Sequence, residues 1–320
     1  MVILQSITVI GLESYIAYYF LGNYNDFEGS SAKGIPIYLI IFLFSQIFQV
    51  IICWDALIKQ NTIQIIGFVI FNACSFAYAL FQYFQMRQLL NSSLPGPPPS
   101  QMEPFLIGVT VVLGVGVVFF GFLAFKLYLE FGWQIYKKIG ADPKMKSMYR
   151  SYQIFLTILK LDFFFFLAFS IQFVVLVLNP SDAEFTVTII ALPVTIVVLF
   201  LAVYGLKRED RVVMSMFMFG CVLAVAYFIF KLVRMYDVMQ SGKYMYSRNY
   251  LTFFASLSLF CVVVTFINAV VCFMNFGKGL QEHINQTQYG PNSAAAGGNT
   301  AGAHCVTDVD MRERKMTLVD

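Results

Sequence analysis

Apolar runs of eighteen residues or more recur along the whole chain, and this recurrence constrains its fold more than any other feature. A run of that length crosses a hydrocarbon core of about 30 Å when helical, at 1.5 Å per residue. Backbone amides in lipid must be bonded within the protein, so a chain of such runs folds either as helices or as a closed barrel. Barrel strands would alternate apolar and polar residues over segments of about ten, and that alternation is absent. With 59% hydrophobic and 12% charged residues in 320, little is left over for a soluble domain. The expected fold is all-α: a polytopic transmembrane helix bundle.

Eight spans are expected, over residues 2–22, 36–57, 62–86, 104–128, 149–178, 187–206, 212–235 and 250–276. Between them lie NYNDFEGSSAKG, NSSLPGPPPSQ, KKIGADPKMKS, NPSDAE and KRED, which have the composition of loops. The first run lacks a basic leading segment and a small-x-small cleavage site, so it is expected to persist as a helix. The domain reading is a transmembrane region over 1–278 and a disordered cytosolic tail over 279–320. The tail includes the small, polar stretch QYGPNSAAAGGNTAGA.

Orientation follows from the basic residues. If the loops alternate sides, one face gathers Lys59, Lys126, Lys137, Lys138, Lys144, Lys146, Arg150, Lys160, Lys207, Arg208, Arg211 and Lys278. The other gathers only Lys33, Arg87, Lys231, Arg234, Lys243 and Arg248. The positive-inside rule puts the richer face, and with it both termini, in the cytosol. Trp54 and Trp133 then sit at the cytosolic boundary, where interfacial aromatics collect. The sequon at Asn91 falls on the lumenal side and is a candidate glycosylation site.

Charged residues inside the spans are the candidate intramembrane polar site. In LTILKLDFFFFLAFS, residues 156–170, Lys160 and Asp162 stand beside four phenylalanines. Two positions apart on a helix they face different directions, so they do not pair with each other. Their place marks the cytosolic edge, where Lys160 can snorkel to headgroups and Asp162 needs a neighbour. Glu13 lies about 18 Å along the first span, near the bilayer midplane. It either handles protons or cations, or packs against a polar residue such as Gln46, Gln49, Asn72 or Asn268.

Other signals are weak. GVGVVFFG, residues 114–121, lies within an apolar helix with no preceding strand and is not a nucleotide loop. Gly220 and Ala224 form a small-xxx-small pair suited to packing, and Pro193 suggests a kink. The cysteines form no CxxC pair and read as packing thiols. The only histidines, His283 and His304, fall in the tail, so no metal site, cofactor or catalytic set is expected, and the chain reads as non-enzymatic. A net charge of +3 gives no footprint for nucleic acid.

The stretch GWQIYKKIGADPKMKSMYRSYQIFLTILKLDFFFFLAFSIQFVVLVL, residues 132–178, resembles the signature region of an uncharacterised fungal family of multi-pass Golgi apparatus membrane proteins. ITVIGLESYIAYYF, YGLKREDRVVM, FKLVRMYDVMQSGKY and YLTFFASLSLF extend the resemblance over residues 1 to about 280. The resemblance implies a multi-pass architecture and a Golgi location, and brings no ligand or reaction. Two functions are therefore weighed. One is a trafficking or membrane-organisation component whose basic, aromatic loop at 131–150 meets anionic headgroups or a cytosolic protein. The other is a small-solute or ion transporter with Glu13 in its path.

Overall fold

The computed structural model describes residues 1–22, 35–91, 99–139, 143–176, 183–236 and 248–278. The described residues form eight long helices: α1 Val2–Gly22, α2 Ile35–Ile58, α3 Thr62–Asn91, α4 Pro99–Ile139, α5 Pro143–Leu176, α6 Ala183–Arg208, α7 Arg211–Met235 and α8 Arg248–Asn275. Each is long and apolar enough to cross a membrane, as the spacing of the apolar runs predicts. The expected tail over 279–320, with its histidines and Cys305, lies outside the described residues, as does Trp133's side chain.

Four helix boundaries depart clearly from the sequence expectation, the farthest being the end of α4, at Ile139 rather than 128. The stretches PPPSQ and PKMKS were expected to be loop, yet Pro99 and Pro143 open α4 and α5 as their first residues. Proline is pre-organised for that position, where its missing N–H costs nothing. α3 likewise runs on to Asn91, so the candidate glycosylation residue ends a helix, and Ser92 and Ser93 lie outside the described residues. α6 is continuous through Pro193.

Two hairpins, α2–α3 and α6–α7, are tight. Gln60 turns at φ 50° between α2 and α3, and Glu209 at φ 52° between α6 and α7. Asn61 Oδ1 accepts from the N–H groups of Ile63 and Gln64, capping α3. Asp210 caps α7 by accepting from Val212 and Val213.

Side-chain contacts fix the register of the helices. Phe48 meets Phe71 edge-on at 5.3 Å and Phe42 stacks on Tyr78 at 5.5 Å, aligning α2 antiparallel to α3. α4 runs antiparallel to α3: a Cβ on Gly114 would stand 3.0 Å from Phe76, and Phe68 meets Phe120 at 5.2 Å. α1 lies along α4 through Gly108, which faces Leu12, and Gly116, where a Cβ would come within 2.0 Å of Gln5 Oε1. The glycines of the 114–121 stretch thus serve helix approach where they serve anything. α8 packs against both α5 and α7, and α5 meets α7 through Phe166 and Phe169 on Phe228 and through Phe155 on Phe217. Cys221, Cys261 and Cys272 are buried and unpaired by disulfides, in keeping with packing thiols.

Candidate functional site

Four polar features interrupt the apolar interior, each built by residues on different helices. The first answers what Lys160 and Asp162 do. Lys160 Nζ bonds Asp55 Oδ2 of α2 and donates to Gln64 Oε1 of α3 at 2.8 Å. Gln64 Nε2 in turn donates to Asp55 Oδ2 at 2.8 Å and to the Ile52 carbonyl at 3.1 Å, while Lys59 pairs with Asp55 Oδ1 at 2.7 Å. Lys160 therefore ties three helices together rather than snorkelling alone. One turn of helix inward of Lys59, a carboxylate flanked by two ammonium groups and an amide forms a compact, charge-compensated knot.

Asp162 points elsewhere. It is 5% exposed, and the Thr265 hydroxyl of α8 donates to its Oδ2. The neighbour it requires is thus a threonine more than a hundred residues away in sequence, and the two acidic and basic groups belong to separate contacts.

Glu13 is fully buried and accepts a 3.0 Å hydrogen bond from Gln82 Nε2 of α3. None of the four expected partners is involved. Gln46 bonds Ser45, and Asn268 donates to the Ser151 carbonyl on α5. Depth explains the difference. Gln82 lies two residues from the carboxy-terminal end of the apolar segment Thr62–Phe84, so Glu13 sits near that edge of the bundle rather than at its centre. The register of α1 on α4 shows why: α1 is displaced along the bundle axis, with Gln5 already near the middle of the bundle, so counting residues from its start underestimates how far along Glu13 lies.

The fourth feature occupies the centre instead. Asn72 is midway along Thr62–Phe84, about 15 Å below Gln82. The Phe48–Phe71 contact brings Gln49 to its level, and Gln46 is one turn away on the same face of α2. Gln5, held against Gly116, comes to the same depth from α1 and carries Ser6 with it. All five side chains are buried: Gln5 8%, Ser6 3%, and Gln46, Gln49 and Asn72 0% exposed. Among the described residues, Gln5 Nε2, Ser6 Oγ, Gln46 Oε1 and both polar atoms of Gln49 and Asn72 have no hydrogen-bond partner. A buried polar group left so costs about 1–3 kcal/mol, and seven such atoms share this level.

Lys231, which charge counting assigned only to a face, is 4% exposed, with its ammonium 4.0 Å from the Phe173 ring centroid and 5.5 Å from that of Tyr227. Among the described residues no group of three or more His, Cys, Asp or Glu side chains is placed to hold a metal ion. The sequence offered Gln46, Gln49 and Asn72 one by one. What it did not show was that Gln5 and Ser6 meet them, because that depends on the offset of α1.

Residues 139–276 match the family model described as a domain of unknown function (DUF7789). A UPF0658 Golgi apparatus membrane protein of Schizosaccharomyces pombe is 31% identical over 311 residues, covering 88% of this chain and 87% of that protein. No solved structure matches the chain. At that identity over nearly the full length of both proteins, and with eight helices fit to span a bilayer, the chain belongs to the family of UPF0658 Golgi apparatus membrane proteins and is a multi-pass protein of the Golgi membrane.

Proposed function

We propose that the chain is a non-enzymatic carrier that moves a small solute across the Golgi membrane through its amino-terminal four helices, α1–α4. The observation that carries this reading is the central layer of unpartnered polar side chains on α1, α2 and α3. Membrane carriers hold their cargo near the bilayer midplane between facing helices, because only there do alternating openings share one site. Polar groups at that depth are costly, and in membrane proteins they mark solute paths.

The wall that moves is α1. It presents Ile3, Leu4 and Ile7 outward, lies on α4 over glycines, and is clasped to α3 at its lumenal half by Glu13 and Gln82. Loosening that clasp opens the layer toward the lumen. The knot of Asp55, Gln64 and Lys160 closes the cytosolic end, about 12 Å from Asn72 along α3. In this reading both termini face the cytosol, supported by the excess of lysine and arginine on that side.

The test is solute uptake by proteoliposomes holding the purified full-length protein, with and without a pH gradient. Uptake above that of empty vesicles for at least one solute is expected. Rates equal to empty vesicles across ions, amino acids and neutral solutes would sink the carrier reading.

A second reading, a trafficking or membrane-organising component, is favoured by the length of α4. Its 41 residues extend about 60 Å, twice the hydrocarbon thickness, and continue past the apolar segment that ends at Phe131. The part of the basic stretch 131–150 that α4 bears, up to Ile139, thereby extends beyond that segment toward anionic headgroups or a cytosolic protein. Replacing Lys137, Lys138, Lys144 and Lys146 by Gln in the full chain separates the readings: lost Golgi retention with intact uptake supports this surface, while unchanged retention removes it.

A further inference from the structure

We infer that the central layer of Gln5, Ser6, Gln46, Gln49 and Asn72 binds an uncharged solute bearing several hydroxyl groups, of the polyol class; this rests on the carrier reading for its route but not for its binding chemistry. The argument begins with what the layer lacks. None of its five side chains is charged: Glu13 stands about 15 Å toward the lumen, the Asp55–Lys160 contact about 12 Å toward the cytosol, and Asp162, at a similar depth on α5, is turned onto Thr265 of α8. A desolvated ion would find no countercharge there, and burying one unpaired costs far more than its hydrogen bonds return.

Next is what the layer offers. Its unpartnered donors are Gln5 Nε2, Gln49 Nε2 and Asn72 Nδ2; its unpartnered acceptors are Gln46 Oε1, Gln49 Oε1 and Asn72 Oδ1; and Ser6 Oγ serves as either. Donors and acceptors are balanced. Rotating the amide of Gln49 or Asn72 exchanges two unpartnered atoms and leaves that balance intact. A carboxylate or phosphate wants donors only and an ammonium wants acceptors only. A hydroxyl group gives one hydrogen and takes another, so a set of adjacent hydroxyls fits a balanced set of amides.

Third is selectivity. Phe68, Phe71 and Phe48 surround the layer with aromatic surface, so an amide that loses its partner there cannot turn to water. A solute lacking a hydroxyl leaves a buried amide unpaired and binds about tenfold more weakly for each one lost. An apolar solute of the same shape leaves all of them unpaired. Since the five side chains are 8% exposed or less, the arrangement described here is the occluded one, and entry requires α1 to swing from α3 and α4.

The experiment uses full-length protein in proteoliposomes, with stopped-flow light scattering under gradients of glycerol, erythritol or sorbitol, and in parallel urea, glycine, sodium chloride and sucrose-driven water flux. Equilibrium dialysis of radiolabelled sorbitol against the detergent-purified protein measures binding directly. Polyol flux above empty vesicles is expected, falling about tenfold in Gln49→Met, which keeps side-chain volume and removes both amide atoms. Gln46→Met is the second variant should the first fail to give a monodisperse protein. Gly11→Ala is the control, since a Cβ there meets nothing within 4 Å. Flux of salt, glycine or water without polyol flux overturns the polyol assignment and leaves the carrier standing. Sorbitol binding that Gln49→Met abolishes, without flux of any solute, keeps the site and overturns the carrier. Polyol flux and binding unchanged in both glutamine variants overturns the site.

Discussion

The Asp55–Lys160 contact is the most direct measure of whether the charges of the fifth helix hold the bundle together. Lys160→Met removes the ammonium and keeps the stem; Asp55→Asn removes the charge and keeps an acceptor for Gln64. Two unit charges in contact at about 3 Å interact by roughly 5 kcal/mol at an effective dielectric of 20. These side chains are 33% and 29% exposed, so water screens part of that, and Lys59 holds Asp55 when Lys160 is gone. Desolvation and this substitute partner reduce the expected coupling to about 1–2 kcal/mol, above the 0.2–1 kcal/mol of exposed pairs. The assay is a double-mutant cycle on the purified full-length protein, unfolded reversibly by SDS in mixed micelles. Each single change should cost about 2 kcal/mol and the double change clearly less than their sum. Additivity within about 0.3 kcal/mol would mean that Lys160 reaches for headgroups after all, and the three-helix knot would have to be abandoned.

Three further outcomes are expected. Gly67→Ala places a methyl 2.6 Å from Thr157 Cγ2, a short β-branched group on α5 with little room to yield, and should cost about 1–3 kcal/mol in the same unfolding assay; a neutral effect would show that α3 and α5 are not so close. Cysteine at position 160 should react with a membrane-impermeant thiol reagent added from the cytosol, whereas cysteine at 162 or 169 should not, because Asp162 and Phe169 are 5% and 0% exposed; labelling at 162 would contradict its contact with Thr265. Glu13→Gln should fold normally, since an amide can still bond Gln82, while Gln82→Leu strands the carboxyl and should lower the yield of folded protein several-fold; equal yields would show that the clasp is dispensable.

The architecture was legible because lipid imposes one rule on every segment: a run long enough to cross must be a helix, whatever its neighbours. Boundaries shifted where proline opened a helix, at Pro99 and Pro143, since the same residue that breaks a helix interior is well suited to its first position, and where α3 and α4 run on to Asn91 and Ile139. Contacts between helices were another matter. The different directions of Lys160 and Asp162 follow from helical spacing alone, but Asp55, Gln64 and Thr265 as their partners do not. Such choices depend on which helices are adjacent and at what relative height. Glu13 illustrates height most plainly. Its depth was reckoned from the start of its own helix, whereas the position that matters is set by Gln82 and by the glycines of α4 against which α1 settles. The pairing of Glu13 with an amide on a parallel helix becomes readable only with that offset in hand.

The double attachment of Asp55 also bears on the order in which the protein is made. Lys160 follows Asp55 by 105 residues, so at about 5–20 residues per second a ribosome delivers it some 5–20 s later. During that interval the second and third helices already lie in the bilayer with an aspartate at their edge. Lys59, four residues on and 2.7 Å from the other carboxylate oxygen, arrives with the same helix and can neutralise it at once. On this timing Lys59 would hold the early hairpin neutral until the fifth helix is threaded, and in the finished bundle it shares Asp55 with Lys160.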